Sequence, residues 1–423
     1  MRVLYSLLIT LATPFALLYF ALRGFRDRAF LSRWHERFGF NQATGHTDGI
    51  LVHAASVGEV NAASPLIKAL LEAHPNLPIT VTTLTPTGSE RVKRALGDKV
   101  FQSYIPLDLP GAVSRFFNRL QPRLIIVIET EIWPNLYLRA ERLRIPLLMA
   151  NARLSERSTR QFQLVSGFVA EILQTVSWIG AQSTGDADRF IACGANPQQT
   201  YTPGNLKFDM HVPANLEEKG AALRSRWGPE RPVLVAGSTH EADENVVIPA
   251  FLELLKKLPD ALLILVPRHP KRFARCAQLA KAAGLRTELR SQGEVCSQNA
   301  QCFVIDTLGE LMTYYACGDV VYVGGSMGNQ GGHNALEPAA LGKPVLFGPN
   351  MDHAREIASQ LLECKAAHRV SNAQEFQQTV EQILADDDLR DRMGLAGRSL
   401  VESNKGALAL TLNAVERMLQ SHP

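Results

Sequence analysis

The sequence predicts an α/β protein built from two doubly wound sheets. Three observations carry that prediction. Short β-branched runs closed by Gly, Pro or Ser recur from about residue 48, each followed by a helical stretch, which is how buried parallel strands in βαβ units read. The rhythm breaks once, over 209–231, where charge and helix formers dominate, and then restarts. At 423 residues, 46% hydrophobic and 20% charged, the chain is globular and too long for one ordinary domain.

The first element is not part of that rhythm. Residues 3–22, "VLYSLLITLATPFALLYFAL", form an uncharged run whose helical length of about 30 Å matches the hydrocarbon core, so 1–23 are predicted to be a membrane anchor. Arg23, Arg26, Arg28, Arg33 and Arg37 follow closely and, by the positive-inside rule, place everything downstream in the cytoplasm. A signal peptide fits less well, because the run exceeds a typical apolar region and no small-x-small cleavage site follows. Pro14 leaves a kinked or partly embedded helix open. Since the first strand begins only near Ile50, the run is expected to belong to the bilayer and not to the fold.

The strands of the first half are "ILVHAAS", "PITVTTLT", "LIIVIET", "PLLMANA" and "WIGAQS", giving a Rossmann-like domain over 24–208. A linker over 209–231 leads to "VLVAGST", "LLILVPR", "CFVID", "VVYVGG" and "PVLFGP", a second such domain over 232–423. Two domains of this kind predict a cleft at the carboxyl ends of their strands, where open α/β sheets bind ligands. The net charge of +3 hides an asymmetry: residues 1–208 hold 22 Lys+Arg against 15 Asp+Glu, leaving 22 against 26 beyond them. The front half therefore favours anionic partners. No basic run interleaved with aromatics points to nucleic acid, and membrane lipid fits the N-terminus better. Six cysteines, none before Cys193 and none in a CxxC pair, argue against a disulfide framework or a zinc site.

The residues to weigh stand just after strands. In "HAASVGEV", Ser56 and Glu59 match a capping box, and a carboxylate there also suits a general base, so both readings stay open. In "IETEIWPNL", Glu129 and Glu131 share a face if the strand continues, a carboxylate pair better explained by function than by packing. Lys207 in "PGNLKFD" sits where the first domain hands over to the second, and as a single lysine reads first as a solvated charge. In "AGSTHEADE", Ser238 and Glu241 make a second capping box; His240, Asp243 and Glu244 lack a second His at ligand spacing, so no metal is assigned. "VPRHPKRF" puts Arg268 and His269 after a strand with Lys271 and Arg272 a turn later, a cationic cluster suited to phosphate or to a solvated turn. "DTLGELM" adds Gly309 and Glu310. The "DAD" at 186–188 imitates a metal motif but opens a helix, where acidic residues complement the dipole.

"VGGSMGNQGGHNALEP" joins two strands through a Gly-rich loop to a helix predicted to begin after Asn334, with Glu337 three residues on and Gly342 as its stop. Such a loop leaves backbone amides unblocked for a phosphate; a tight turn with an ordinary cap is the alternative.

In order, "HAASVGE", "TTLTPTGSERV", "IETEIWPNL", "NARLS", "GNLKFD", "AGSTHE", "PRHPKRF", "DTLGELM" and "GGHNALEP" resemble the Kdo (3-deoxy-D-manno-oct-2-ulosonic acid) transferases of lipid A biosynthesis over nearly the whole chain. The resemblance implies a GT-B fold with an N-terminal membrane-anchor helix. The implied donor is CMP-Kdo, the implied acceptor a phosphorylated lipid A precursor (lipid IVA), and the outcome inversion at the anomeric carbon. It implies no catalytic metal and no cofactor beyond the donor substrate, with inner membrane lipids as partners and catalytic domains on the cytoplasmic side. Residue by residue, it makes Glu59 the general base, assisted by Glu129 and Lys207. CMP contacts fall on Pro267, Arg268, Leu308, Gly309, Glu310, Asn334, Ala335, Leu336 and Glu337. On that reading the loop glycines let the backbone approach CMP, the helix start stabilises the departing phosphate and Glu337 holds ribose hydroxyls. One departure is Ala242, where the pattern expects Gly. Two rivals share parts of the pattern: a UDP-sugar transferase on the same fold, and a membrane-tethered nucleotide-binding protein with no use for Glu59.

Overall fold

A computed structural model describes residues 1–26, 28–41, 46–210 and 212–421, with the Arg26 side chain outside that description. The chain divides into two units, Met1–Asp209 with Asn404–Pro423, and Met210–Ser403.

The first unit carries β1 (Ile50–His53), β2 (Ile79–Thr83), β3 (Phe101–Tyr104), β4 (Leu124–Ile128), β5 (Leu147–Ala152), β6 (Trp178–Ala181) and β7 (Thr200–Tyr201). They form one parallel sheet in the order β3-β2-β1-β4-β5-β6-β7. β1, β2, β4, β5 and β6 are buried along their whole length, which is why they read as continuous apolar runs and not as alternation. Apolar clusters line both faces, one around Phe116, Phe117 and Tyr137, the other around Leu66, Ile67 and Leu70. The chain builds outward from β1 to β3 and then returns to lay β4 against the other side of β1, so the strand order reverses between β1 and β4.

The second unit repeats the design with β8 (Val233–Thr239), β9 (Leu262–Pro267), β10 (Thr287–Leu289), β11 (Cys302–Val304), β12 (Val320–Val323), β13 (Val345–Phe347) and β14 (Ala367–Arg369), ordered β10-β11-β9-β8-β12-β13-β14. Here the reversal falls between β8 and β12. In each sheet that reversal opens the crevice where ligands of open α/β sheets bind.

Several sequence expectations change. β3, β7, β10 and β14 are not among the predicted strands: "FQSY", "TY", "TEL" and "AHR" are short, partly polar pieces at or near sheet edges, without an apolar run to announce them. The segment predicted as a linker over 209–231 contains the helix Leu216–Trp227, whose Trp227 is buried against Phe303 and Tyr314 at ring distances of 6.3 and 6.5 Å; it opens the second unit. The predicted boundary 232–423 also runs too far. The last helix, Ala407–Ser421, belongs to the first unit, where Ala407, Ala414 and Val415 join the core. Asp209 holds its start by accepting from the Gly406 and Leu408 N–H groups at 2.7 and 2.8 Å, a cap of the kind worth about 1 kcal/mol.

The apolar N-terminal run forms the helix Arg2–Arg26, long and apolar enough to cross a membrane. Contrary to expectation it is also part of the fold, because one face lies on the first unit. Tyr5 donates to Asp108 at 2.9 Å, Ser6 donates to Asn135 at 3.0 Å, and Phe20 packs beneath the buried Arg37 guanidinium at 4.5 Å.

Candidate active site

At the β1/β4 reversal, β1 ends in His53 and the chain passes through Ala54 and Ala55 into the helix Val57–Ala73, capped by Ser56. Glu59 lies in its first turn. Its N–H donates to the Ser56 hydroxyl oxygen at 3.4 Å, while its carboxylate accepts from the Ser56 hydroxyl at 2.8 Å and from the Ala55 N–H at 2.7 Å. The cap and the candidate base are thus the same residue. Glu59 is only 8% exposed, and its carboxyl is pushed up to about 7, by burial first and then by the Glu131 charge, against the two hydrogen bonds, with Glu129 adding to the rise.

The carboxylates that raise it come from the end of β4. That strand stops at Ile128 and Glu129 turns the backbone into the left-handed region at φ 59°, so Glu129 and Glu131 do not share a strand face as the alternation predicts. The turn nevertheless brings both charges near Glu59. Glu129 Oε1 stands 3.7 Å from Lys207 Nζ, and Glu131 Oε2 stands 3.7 Å from His53 Nε2. Lys207 is therefore paired, not a free surface charge. It rides on the short turn Leu206–Phe208, capped by Asn205 and tied to the ends of β5 and β6: Asn151 accepts from the Leu206 N–H at 2.9 Å, Asn205 donates to Gln182 at 3.1 Å, and Gln182 donates to the Asn151 carbonyl at 2.9 Å. His53, Asn151, Gln182 and Asn205 escape sequence reasoning. Each sits inside a quoted motif, but only the fold shows what it holds.

At the β8/β12 reversal, Asp243 organises the loop after β12. Fully buried, its carboxylate accepts from the N–H groups of Gly325 (2.8 Å), Ser326 (3.3 Å) and Met327 (3.1 Å), from the Tyr322 hydroxyl (2.6 Å) and from the His240 N–H (2.8 Å). The helix cap falls at His240 with Asp243, two residues beyond the predicted pair of Ser238 and Glu241, because Ser238 still belongs to β8. The loop glycines have internal reasons. A Cβ on Gly324 would meet the Ser238 carbonyl oxygen at 2.6 Å, and Gly331 and Gly332 turn the chain at φ 78° and 75°. His240 and His333 stack with ring centres 5.3 Å apart, and burial chiefly, with Arg268 adding, pushes His333 down to about 4.

The helix after this loop is short, Leu336–Ala340, and begins one residue later than predicted, although the Asn334 side chain still accepts from the Leu336 N–H at 3.2 Å and donates to Glu337 at 3.2 Å. So short a helix has little dipole of its own. Burial raises the Glu337 carboxyl, opposed by Asn334 and Arg268. Ala335 and Leu336 are fully buried, backbone included. Arg268 is exposed just past the end of β9 at Pro267. The predicted cationic cluster divides: Arg272 is tied to Glu241 and to the buried Glu244, at 3.2 and 2.5 Å. After β11, Leu308 is 70% exposed, Gly309 turns at φ 85°, and Glu310 is paired with Arg290 at 3.0 Å.

Comparison with known proteins bears on the family and the fold. The family described as 3-deoxy-D-manno-octulosonic-acid transferase (kdotransferase) matches residues 32–210. The 3-deoxy-D-manno-octulosonic acid transferase of Haemophilus influenzae is 39% identical over 422 residues, 99% of either chain, and that of Bordetella pertussis is 36% identical over 380 residues, 88% of this chain and 87% of the other. Among solved structures, MurG of Acinetobacter baumannii superposes with a TM-score of 0.57 over 88% of this chain and 99% of its own, at 15% identity. The UDP-GlcNAc 2-epimerase of Neisseria meningitidis gives 0.54 over 87% and 100%, at 14% identity. At such identity the structural likeness is one of fold, the GT-B pairing of two parallel sheets. Similarity along the whole length, from the helical N-terminus to the last helix, places the chain in the 3-deoxy-D-manno-octulosonic acid (Kdo) transferase family, glycosyltransferases of lipopolysaccharide biosynthesis.

Proposed function

We propose that the protein moves Kdo from CMP-Kdo to a phosphorylated lipid A precursor, lipid IVA, inverting the anomeric carbon and releasing CMP. The observation that carries this reading is Glu59: a buried carboxyl held near 7 by burial and two neighbouring carboxylates is poised to take a proton at neutral pH. As the acceptor hydroxyl oxygen forms its bond to the anomeric carbon, its proton passes to Glu59, and the bond to the CMP phosphate breaks with its electron pair on the phosphate. Glu129 and Lys207, 3.7 Å apart, assist by balancing charge beside that transfer.

In the second unit the donor's CMP is assigned to Pro267, Arg268, Leu308, Gly309, Glu310 and Asn334–Glu337. Arg268 supplies a cation for the phosphate, the exposed Leu308 an apolar surface for the base, and Glu337 a carboxylate for ribose hydroxyls. Neutralisation by side chain and backbone requires no metal and no further cofactor. The apolar helix and the basic front half suit an acceptor that is both lipidic and phosphorylated, reached from the cytoplasmic side of the inner membrane.

Mass spectrometry of tetraacylated, bisphosphorylated lipid A precursor incubated with the protein and freshly made CMP-Kdo tests this. Addition of one or more Kdo masses, unchanged by EDTA and inhibited by CMP over UDP, is the expected result. No product from CMP-Kdo, product from a UDP-sugar instead, or loss in EDTA reversed by a divalent ion overturns the corresponding assignment.

A further inference from the structure

The helix Arg2–Arg26 touches the first unit at both of its ends. Near its start, Arg2 pairs with Glu171, Tyr5 donates to Asp108, Ser6 donates to Asn135, and the Tyr5 ring packs on Phe168 at 5.6 Å. Near its end, Phe20 stacks on Phe30 at 6.4 Å and lies under Arg37, and Gly24 is buried against Leu31. Residues 7–19 between these anchor points rise only about 20 Å. A hydrocarbon core is about 30 Å thick. Sinking the helix across it would drag in Glu171, Asn135 and the buried Asp108, whose carboxylate also accepts from the N–H groups of Asn135 and Leu136.

The opposite face has no partner among the described residues and is apolar along its length. Leu4, Leu7, Leu11, Phe15, Leu18 and Leu22 are all exposed, Phe15 at 74%. Half-buried positions such as Tyr5, Ile9, Thr13, Ala16 and Phe20 alternate with them at helical spacing, so the two faces are distinct. Leu164 and Val165, just ahead of the helix that carries Phe168, are exposed as well. Arg23 and Arg28 are exposed near the helix end, where anionic headgroups would meet them.

We infer that this helix lies in the plane of the membrane, one face docked on the first unit and the other sunk among the acyl chains of a single leaflet, so that the protein is monotopic and both ends of the helix stay on the side of the catalytic units. The occupant of the exposed face is an anionic lipid monolayer, and in this the inference rests on the membrane partner proposed above. The contacts at both ends decide the orientation: a spanning helix is held from one end only, whereas this one is held along the length of a folded, polar unit.

The full chain carrying a short epitope ahead of Met1, expressed in a Gram-negative host, tests the orientation by protease access. Cleavage of the epitope in inverted membrane vesicles but not in intact spheroplasts is expected; cleavage in intact spheroplasts means the helix spans and overturns the inference. Binding of the purified protein to vesicles of phosphatidylethanolamine and phosphatidylglycerol tests the occupant separately. Leu11→Asp with Phe15→Asp should lower binding at least tenfold with Tm unchanged. A fall in Tm with binding intact would show that the face is covered by protein. Wild-type protein that ignores vesicles and sediments as a dimer would assign the face to a second copy and remove the membrane reading itself.

Discussion

Two hydrogen bonds from Ser56 and Ala55 favour the charged form of Glu59, yet its carboxyl stays near 7, because burial and the Glu131 and Glu129 charges outweigh them. The base form therefore gains population as pH rises through 7, and kcat/KM should climb about tenfold per pH unit below that value and level off above it. The stability sign is opposite. Between about 4.5 and 7 the folded protein holds a proton that the unfolded chain has released, so this residue stabilises the fold increasingly as pH falls, and Glu59→Gln should raise Tm at pH 8. The same variant should lose on the order of 10²- to 10⁴-fold in transfer with CMP affinity intact by calorimetry; turnover at the wild-type level would return Glu59 to a helix cap alone. In the second unit, Arg268→Ala and Glu337→Ala should each weaken CMP binding by about 1–3 kcal/mol. Unchanged affinity in both would remove CMP from that site.

The loop after β12 owes its shape to one side chain on another element. Asp243, in the first turn of Glu241–Leu255, gathers three consecutive loop amides, the Tyr322 hydroxyl and its own helix start. Asp243→Ala strands these donors in a dry site and should destabilise the second unit by about 3 kcal/mol or more, with CMP affinity falling alongside because the loop loses its backbone geometry. Denaturant melts and calorimetry on the same variant check both halves. A variant with normal CMP affinity would show that the loop holds its form without this carboxylate.

Across the whole molecule, the chain's two ends both return to the first unit. The last helix is pinned by Asp209, and the first helix by Asp108, Asn135 and Arg37. Deleting residues 1–22 therefore takes away more than an anchor. It uncovers Phe30 and Phe168 and leaves the Asp108 carboxyl, already raised to about 6 by burial, without its Tyr5 donor. The truncated protein should melt several degrees lower than the full chain in the same detergent and show new apolar surface by dye binding, with residual, salt-sensitive affinity for anionic vesicles from the basic residues that remain. An unchanged Tm would mean the docked face contributes nothing to the fold.

The sequence alone determined the two parallel sheets, the strand ends where chemistry gathers, the apolar first helix and the family resemblance. Strands buried on both faces read as apolar runs, and caps such as Ser56 with Glu59 are local signals that need no fold to be seen. What it left open depended on contacts between distant segments. Glu59, Glu131 and Lys207 come from three stretches of chain, and no periodicity records that Glu131 and Glu129 stand close enough to raise the Glu59 carboxyl or that Lys207 pairs with Glu129. The edge strands β3, β7, β10 and β14 exist because a neighbour offers them a ladder, not because their own residues demand one. Hydropathy likewise showed that residues 3–22 avoid water, but only the tertiary structure decided which face does so, since polar partners at Asp108 and Asn135 hold one side of the helix to the protein and leave the other for lipid.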